Sequence, residues 1–137
     1  MLRIITLNLN GIRSAVSKGL LEWLSLQKAD VICVQEVKAQ LPDLAPATLN
    51  HHPYTGHFSC AEKKGYSGVG IYCRNRPDKI TAGFGSREFD AEGRYLRADF
   101  GGLSVISVYL PSGSSSDERQ QAKFRFMLKV MPHLAQL

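Results

Sequence analysis

The sequence has few cysteines and no long apolar run. Its three cysteines form no C-x-x-C pair, and an odd number leaves one unpaired in any intramolecular disulfide scheme. Cys33 and Cys73 lie in apolar segments, where a reduced and buried thiol is the common state. No window approaches the roughly 18 apolar residues of a membrane span, and Asn8 and Asn10 interrupt the short N-terminal apolar run, unlike a secretory signal. We therefore expect a soluble, cytoplasmic protein with no membrane partner.

Several enzyme motifs are also missing from the chain. There is no G-x-x-x-x-G-K-[ST], no G-x-S-x-G and no Cys/His zinc spacing. We therefore interpret His51, His52 and His57 as surface residues, and His133 has no evident partner. Lys and Arg number 17 against 12 Asp and Glu, a net charge of +5. This modest excess permits an anionic partner but does not require one.

Hydrophobic periodicity predicts an α/β protein of one domain. A strand at 2–9, a helix at 19–27 and a strand at 30–34 form a β-α-β unit, which favours parallel pairing of the two strands. A short helix is predicted at 41–49. Further short strands, separated by glycine-containing turns, are predicted at 57–62, 69–74, 79–84, 95–100 and 103–109.

The C-terminal segment has the pattern of an amphipathic helix. Ser115 and Glu118 have capping-box spacing at its start. The predicted apolar stripe on its buried face consists of Phe124, Met127, Leu128 and Met131. Pro132 is expected to kink the helix or to end its regular part.

Polar side chains follow the first two predicted strands. Asn8 and Asn10 are two residues apart, so on an extended strand they point to the same face, and Glu36 ends the second strand. Amide and carboxylate oxygens are hard ligands suited to Mg²⁺ or Mn²⁺. A structural alternative remains for each, because Asn10-Gly11 is also a common turn pair and a Glu after a strand is often only solvated.

Two further segments fit contact with phosphate. Tyr109 ends another apolar strand, where its hydroxyl could donate to a phosphate oxygen or simply pack at a sheet edge. Residues 62–70 combine two lysines with a tyrosine between glycines, which suits either a clamp on a nucleic-acid backbone or an ordinary hairpin turn. Lys18, Arg87, Arg94 and Arg97 are further candidates for phosphate contact, but scattered basic residues are more often on the surface than in a site. We select only Arg13 as a phosphate contact, because it follows the proposed metal loop.

These segments together resemble the exonuclease III-type branch of the endonuclease/exonuclease/phosphatase superfamily. Members of this branch are abasic-site endonucleases and 3′-exonucleases of DNA base-excision repair. The resemblance implies a layered α/β sandwich, of which this chain would be one lobe with a mixed sheet and flanking helices. The matching segments, in family order, are residues 6–13, 34–38, 65–70, 92–94 and 108–113.

The resemblance also implies roles for individual residues. Glu36 would be the carboxylate ligand of Mg²⁺ or Mn²⁺, with Asn8 and Asn10 beside it in the metal site. Tyr109 and Asn8 would be catalytic and would orient the scissile phosphate. Contacts to double-stranded DNA with abasic sites or 3′ ends would come from Arg13, Lys38, Lys64, Gly65, Tyr66 and Ser112.

The sequence departs from the family at two positions and in length. Asn10 stands where other members carry an aspartate, and Ser112 stands where they carry Asn or Gln. The family's Gly-Asp-x-Asn segment and final Asp-His pair are absent. We therefore expect residues 1–137 to be the N-terminal half of one domain, inactive alone and able to self-associate through an exposed apolar sheet face. The alternatives are a DNA-binding or assembly module without catalysis, and a phosphodiesterase with a non-DNA substrate.

Overall fold

Two β-sheets packed face to face form the centre of the structure. The computed structural model describes residues 1–137. The first sheet has the order β1-β2-β5-β4-β3 and the second the order β6-β7-β8. The strands are β1 (Ile4–Asn8), β2 (Val31–Gln35), β3 (Asn50–His51), β4 (Tyr54–Ser59), β5 (Val69–Cys73), β6 (Lys79–Ala82), β7 (Tyr95–Phe100) and β8 (Leu103–Val108).

Five helices flank or connect these strands. They are α1 (Ile12–Ser17), α2 (Leu20–Leu26), α3 (Pro46–Leu49), α4 (Arg87–Asp90) and α5 (Asp117–Ala135), and a short 3-10 turn covers Leu41–Asp43. The mixed α/β sandwich is confirmed. So is the parallel pairing of β1 with β2. One of the predicted glycine-containing turns, Gly101-Gly102, joins β7 to β8, where Phe100 pairs with Leu103. The sequence pattern missed α1, α4 and β3, and the predicted helix at 41–49 is divided between the 3-10 turn and α3.

Three apolar clusters hold the layers together. Helices α1 and α2 pack on one face of the five-stranded sheet, where Leu24, Ile32 and Val34 are fully buried. The opposite face packs against the three-stranded sheet through residues such as Ile71 and Leu96. Helix α5 covers the outer face of the three-stranded sheet. No helix in the structure is both long enough and apolar enough to span a bilayer.

Most of both sheets is covered within the chain. Exposed apolar side chains remain on the edge strand β1 and along α5. The five-stranded sheet is wider than its partner, so the side chains of β1 that point towards the second sheet are exposed, and Ile4 retains 45% of its accessible surface. Self-association through an exposed sheet face stays a prediction.

Helix α5 differs from its predicted form in its buried face and in its ends. The buried positions are Ala122, Phe126 and Val130, whereas Leu128 is 76% exposed. The predicted stripe was therefore wrong: Phe124 and Met131 are also exposed, and Met127 is half-buried. Both sets of positions fit a period of about 3.6 residues, so the spacing alone did not identify the inward face.

The ends of α5 and two histidines also correct the sequence interpretation. The capping side chain is Ser116, which accepts a hydrogen bond from the Arg119 N–H at 3.1 Å, rather than the predicted Ser115. The helix continues past Pro132 to Ala135. His133 has a partner, since its Nε2 lies 2.8 Å from the Tyr95 hydroxyl. His57 is half-buried in β4, and burial lowers its pKa.

All three cysteines are free, and the prediction that Cys33 and Cys73 are reduced and buried is confirmed. Cys33 and Cys73 are buried in the interface between the sheets. Burial raises the pKa of Cys33 to about 11 and that of Cys73 to about 12. Both side chains are therefore neutral thiols that serve as small apolar residues in the core.

Gly93 allows the start of β7 to approach the end of β4. Its φ is +60°, and a Cβ atom there would lie 2.5 Å from the carbonyl oxygen of Ser59. A side chain would therefore both clash with backbone atoms and force an unfavourable left-handed conformation. The glycine fixes where the following residue, Arg94, enters the structure.

We expect Gly93→Ala to lower the free energy of unfolding by about 2 kcal/mol or more, because left-handed backbone alone costs an L-residue roughly 1–2 kcal/mol. Gly102→Ala is the matched control, since no atom lies within 4 Å of its added Cβ and its φ is not positive. Urea unfolding of both variants measures the difference. Equal stability of the two variants would contradict the close approach at Gly93.

Candidate active site

Five loops meet at one end of the sandwich. Strands β1 and β2 are parallel, so their carboxyl ends lie together, and the antiparallel β5 begins at the same end. The two sheets are joined there by Ser107, whose Oγ donates to the Val34 carbonyl at 3.0 Å and accepts from Gln35 at 3.2 Å. All five segments of the family resemblance lie in or beside these loops, which cover residues 8–12, 35–38, 60–68, 92–94 and 109–113.

The first loop is held by an Asx turn. Strand β1 ends at Asn8, whose Oδ1 accepts the Asn10 backbone N–H at 3.0 Å. Asn10 and Gly11 then have φ values of +47° and +104°, so Asn10 lies in a turn. The expectation that Asn8 and Asn10 lie on one face of an extended strand was therefore wrong. The next two N–H groups, of Gly11 and Ile12, donate to the carbonyls of Glu36 and Val37 at 2.8 and 2.9 Å. These hydrogen bonds fix the position of the 8–12 loop relative to the 35–38 loop.

Backbone strain is concentrated at this end of the molecule. The structure has five non-glycine residues with positive φ, and four of them, Asn10, Glu36, Lys38 and Ser67, lie in these loops. Such conformations cost of order 1–3 kcal/mol each and persist where surrounding contacts enforce them. One such contact is the Lys38 N–H to the Ser67 carbonyl, at 2.8 Å. Strain of this kind is typical of a preorganised site.

Glu36 is the carboxylate at the centre of the first two loops. Asn8 Nδ2 donates to its Oε1 at 3.0 Å, and Lys38 Nζ lies 3.4 Å from its Oε2. Burial acts to raise the pKa of Glu36, but the hydrogen bonds from Asn8 and Lys38 and the charge of Lys38 together lower it below its usual value. The side chain is therefore ionised at neutral pH.

The two asparagines surround this carboxylate in different ways. Asn8 presents its amide N–H₂ to Glu36 and its oxygen to the backbone. Asn10 Oδ1 accepts from Lys38 Nζ at 2.7 Å. Both amide oxygens already have protein donors, so metal ligation by Asn8 and Asn10 stays a prediction. No group of three or more His, Cys, Asp or Glu side chains comes together anywhere in residues 1–137. Metal ligation by Glu36 also stays a prediction.

Tyr109 follows β8 and lies beside Glu36. Burial and the negative charge of Glu36 raise the pKa of the phenol, and the positive charge of Arg94 opposes this rise. The Tyr109 N–H donates to the Arg94 carbonyl at 3.0 Å, which fixes the backbone at this point. A neutral phenol beside an ionised carboxylate is a hydrogen-bond donor suited to a phosphate oxygen.

The Tyr66 hydroxyl is the centre of a second polar cluster. It accepts hydrogen bonds from Arg94 at 2.7 Å and from Arg119 at 3.1 Å, and it donates to Glu92 at 3.1 Å. Arg94 is only 1% exposed and also donates to Glu92. The Tyr66 hydroxyl is therefore engaged within the protein, which leaves its half-buried ring and the backbone of Gly65 for contact with a ligand.

The remaining predicted residues lie around the rim. Arg13 is exposed and its guanidinium donates to the Lys38 carbonyl at 3.1 Å. Lys64 and Gly65 are exposed. The Ser112 hydroxyl lies 3.0 Å from that of Ser114, on an exposed loop.

Sequence reasoning passed over three residues that organise the site. It left Arg94 among the scattered arginines, because nothing in the local sequence indicates that this residue, which directly precedes β7, is buried. It did not consider Gln40, whose side chain bonds the Ala61 and Lys63 carbonyls at 3.2 and 3.0 Å and so holds the third loop. Arg119 was hidden in the predicted helix. No sequence signal connected it with Tyr66.

The geometry agrees with comparisons to known proteins. A family model described as the endonuclease/exonuclease/phosphatase family matches residues 5–134. The chain belongs to this family. It is 32% identical over 139 residues to an exodeoxyribonuclease of Bacillus subtilis, covering 99% of this chain and 53% of that protein. It is 34% identical over 116 residues to the DNA repair nuclease APEX1 of Danio rerio, covering 82% of this chain and 37% of that protein.

Solved structures give the same result. An AP endonuclease from Archaeoglobus fulgidus matches with a TM-score of 0.85 and 32% identity, covering 98% of this chain and 51% of that one. A 3′-5′ exonuclease from Neisseria meningitidis shares the fold at a TM-score of 0.84 and 23% identity. The chain thus spans about half the length, or less, of these relatives.

We expect Lys38→Met to raise the pKa of Glu36, because the variant loses both a hydrogen bond and a positive charge at that carboxylate. A lowered carboxyl pKa stabilises the fold above the ordinary carboxyl range, and this stabilisation is lost as the pH falls through the lowered value. In Lys38→Met this stabilisation should therefore be smaller, and its loss should be complete at a higher pH. Carbon-13 NMR titration of the Glu36 carboxyl measures the shift directly. Lys64→Met is the control, and an equal effect from that exposed lysine would contradict the assignment.

Proposed function

We propose that residues 1–137 are the N-terminal half of a metal-dependent DNA phosphodiester hydrolase of base-excision repair, an abasic-site endonuclease or 3′-exonuclease of the exonuclease III type. The observation that carries this proposal is the ionised Glu36 beside the Tyr109 phenol, at the point where five loops converge. The names of the relatives point to the same chemistry. The expected substrate is double-stranded DNA with abasic sites or 3′ ends.

Glu36 would hold the divalent cation, Mg²⁺ or Mn²⁺. A hard, ionised oxygen fits such a cation, and Asn8 and Lys38 fix the direction in which the carboxylate points. When bound, the cation would supply charge stabilisation to a phosphate ester under attack. Tyr109 would donate its phenolic proton in a hydrogen bond to a phosphate oxygen, and Asn8 would keep Glu36 aligned throughout. The residue that activates water is expected outside residues 1–137.

The rim of the site suits the DNA backbone. Arg13, in the first turn of α1, and Lys64, in the 60–68 loop, are exposed cations, and Lys63 Nζ lies 4.9 Å from the centre of the Tyr66 ring. Phosphate contacts of this type position a protein on DNA without reading its sequence. The open backbone at Gly65 allows a strand to approach closely.

The edge of β1 is where the other half of the domain would join. This strand has no neighbour on one side, and a cavity of about 460 Å³ lies beside it, with Leu7, Leu20 and Trp23 among its apolar lining residues. Asn8 and Asn10 line the same cavity, so a segment bound there would reach the candidate metal site. Further carboxylates delivered by that segment would complete the ligand set.

The decisive experiment compares the chain alone with the chain combined with the second half of the Bacillus subtilis relative. We expect the chain alone to bind duplex DNA without turnover in Mg²⁺, and the combination to incise an abasic duplex. Glu36→Gln should abolish most of that incision and leave DNA binding largely unchanged, because it removes the anionic ligand and no basic contact. Metal-dependent cleavage at normal rate by Glu36→Gln would show the metal assignment to be wrong.

Each alternative function has its own outcome in this experiment. DNA binding with no incision in any combination favours the binding or assembly module. Preference for RNA or a small phosphodiester over the abasic duplex favours the non-DNA phosphodiesterase. If DNA is neither bound nor cleaved, the proposal as a whole is contradicted.

We expect Arg13→Met to weaken DNA binding and to reduce the salt dependence of the affinity. Loss of one phosphate contact lowers the slope of log K against log salt by about 0.9 for duplex DNA. Arg74→Met is the matched control, because Arg74 is an equally exposed arginine that follows β5, at the opposite end of the sheet. Fluorescence anisotropy over a salt series measures both slopes. The same slope change in both variants would show that Arg13 is not a specific contact to DNA.

A further inference from the structure

The guanidinium of Arg94 lies between two tyrosine rings. Its Cζ is 5.6 Å from the centre of the Tyr66 ring and 5.2 Å from the centre of the Tyr109 ring. Only 1% of the residue is exposed. Both aromatic rings attract the cation, and this cation–π stabilisation is larger where water is excluded.

Each of the three guanidinium nitrogens has a different hydrogen-bond partner. Nε donates to Glu92 at 3.1 Å, one terminal nitrogen donates to the Tyr109 carbonyl at 3.1 Å, and the other donates to the Tyr66 hydroxyl at 2.7 Å. This arrangement uses the planar fork of arginine, with donors in fixed directions. A lysine ammonium has the charge but not this geometry.

Arg94 is also the residue that connects the two tyrosines. The other partners of the Tyr66 hydroxyl, Glu92 and Arg119, make no hydrogen bond to Tyr109 in this structure. Arg94 alone bonds the hydroxyl of Tyr66 and the backbone of Tyr109. Its own carbonyl accepts the Tyr109 N–H at 3.0 Å, so Tyr109 is held to Arg94 by two bonds.

We propose that Arg94 is a positioning residue that couples the 62–68 loop to Tyr109. A displacement of Tyr66, such as one caused by a backbone bound at Gly65, is passed through the guanidinium to the orientation of the Tyr109 phenol. The importance of this coupling for catalysis rests on the proposed function, in which the loop contacts DNA and Tyr109 contacts the scissile phosphate. The coupling itself is a property of the free chain.

The test is a mutant cycle read by NMR on the full chain with carbon-13-labelled tyrosine. Signals are assigned with single Tyr→Phe variants. Tyr66→Phe removes one hydroxyl and should shift the Tyr109 ring signal in the otherwise unchanged chain. In the Arg94→Lys background, which keeps the charge but loses the fork, the same substitution should shift the Tyr109 signal by less than half as much. Arg94→Gln should behave like Arg94→Lys.

Arg97→Met is the matched control. Arg97 lies in β7, which Arg94 directly precedes, and it also pairs with a neighbouring carboxylate, Asp99, at 2.7 Å, but it contacts neither Tyr66 nor Tyr109 by a hydrogen bond. Coupling between the two tyrosines should be unchanged in this background. A purely structural role for Arg94 lowers the melting temperature without removing the coupling, so the cycle separates the two roles.

The proposal is overturned if Tyr66→Phe shifts the Tyr109 signal equally with and without Arg94, or if it causes no shift in the otherwise unchanged chain. Two position-94 variants keep the test usable if one fails to fold, which the dispersion of the amide spectrum reveals. Neither DNA nor metal enters the experiment. Its failure would therefore leave the proposed nuclease function standing, and loss of the nuclease function would leave this result intact.

Discussion

The burial of one arginine charge determines how the loops at the active end are arranged. A guanidinium that is 1% exposed must find hydrogen-bond acceptors within the protein, because an unpaired buried charge is strongly destabilising. Arg94 finds them on three different segments, at Glu92, Tyr66 and Tyr109. The 62–68 loop, the start of β7 and the end of β8 are therefore held together by the same requirement.

The other half of the site depends on backbone conformation rather than on buried charge. Glu36 and Lys38 both have φ of +51°, a region that side chains other than glycine seldom adopt. Hydrogen bonds from Gly11 and to Ser67 hold this strained segment on both sides. As a result, two residues that are separated by only one position present a carboxylate and an ammonium to the same place, 3.4 Å apart. An ordinary extended strand would also place positions 36 and 38 on one face, but it would not give the turn that lets Asn8 and Asn10 reach them.

Local sequence signals predicted much of this structure, and the reasons for the failures are physical. Apolar runs of β-branched residues identified β1 and β2, and their connection determined the parallel pairing that brings Asn8 near Glu36. Helix α5 was placed correctly but rotated, because residues 122, 126 and 130 have the same spacing as the larger apolar residues that remain exposed. Arg94 was overlooked because burial of an arginine depends on partners that are distant in sequence. The positive φ of Glu36 has no local cause in its side chain, since it is imposed by neighbouring loops.

The site has more hydrogen-bond donors and positive charges than carboxylates. Around the single carboxylate of Glu36 the chain collects an ammonium and the amide of Asn8, and the nearby cluster has two guanidiniums for one carboxylate, Glu92. Such a surplus of donors and positive charge favours an anion, such as a phosphate ester, over a lone divalent cation. If the proposal is correct, further negative charge would have to come from the segment proposed to join at β1. The substrate phosphate would then lie between a cationic wall built by residues 1–137 and an acidic wall built by its partner segment.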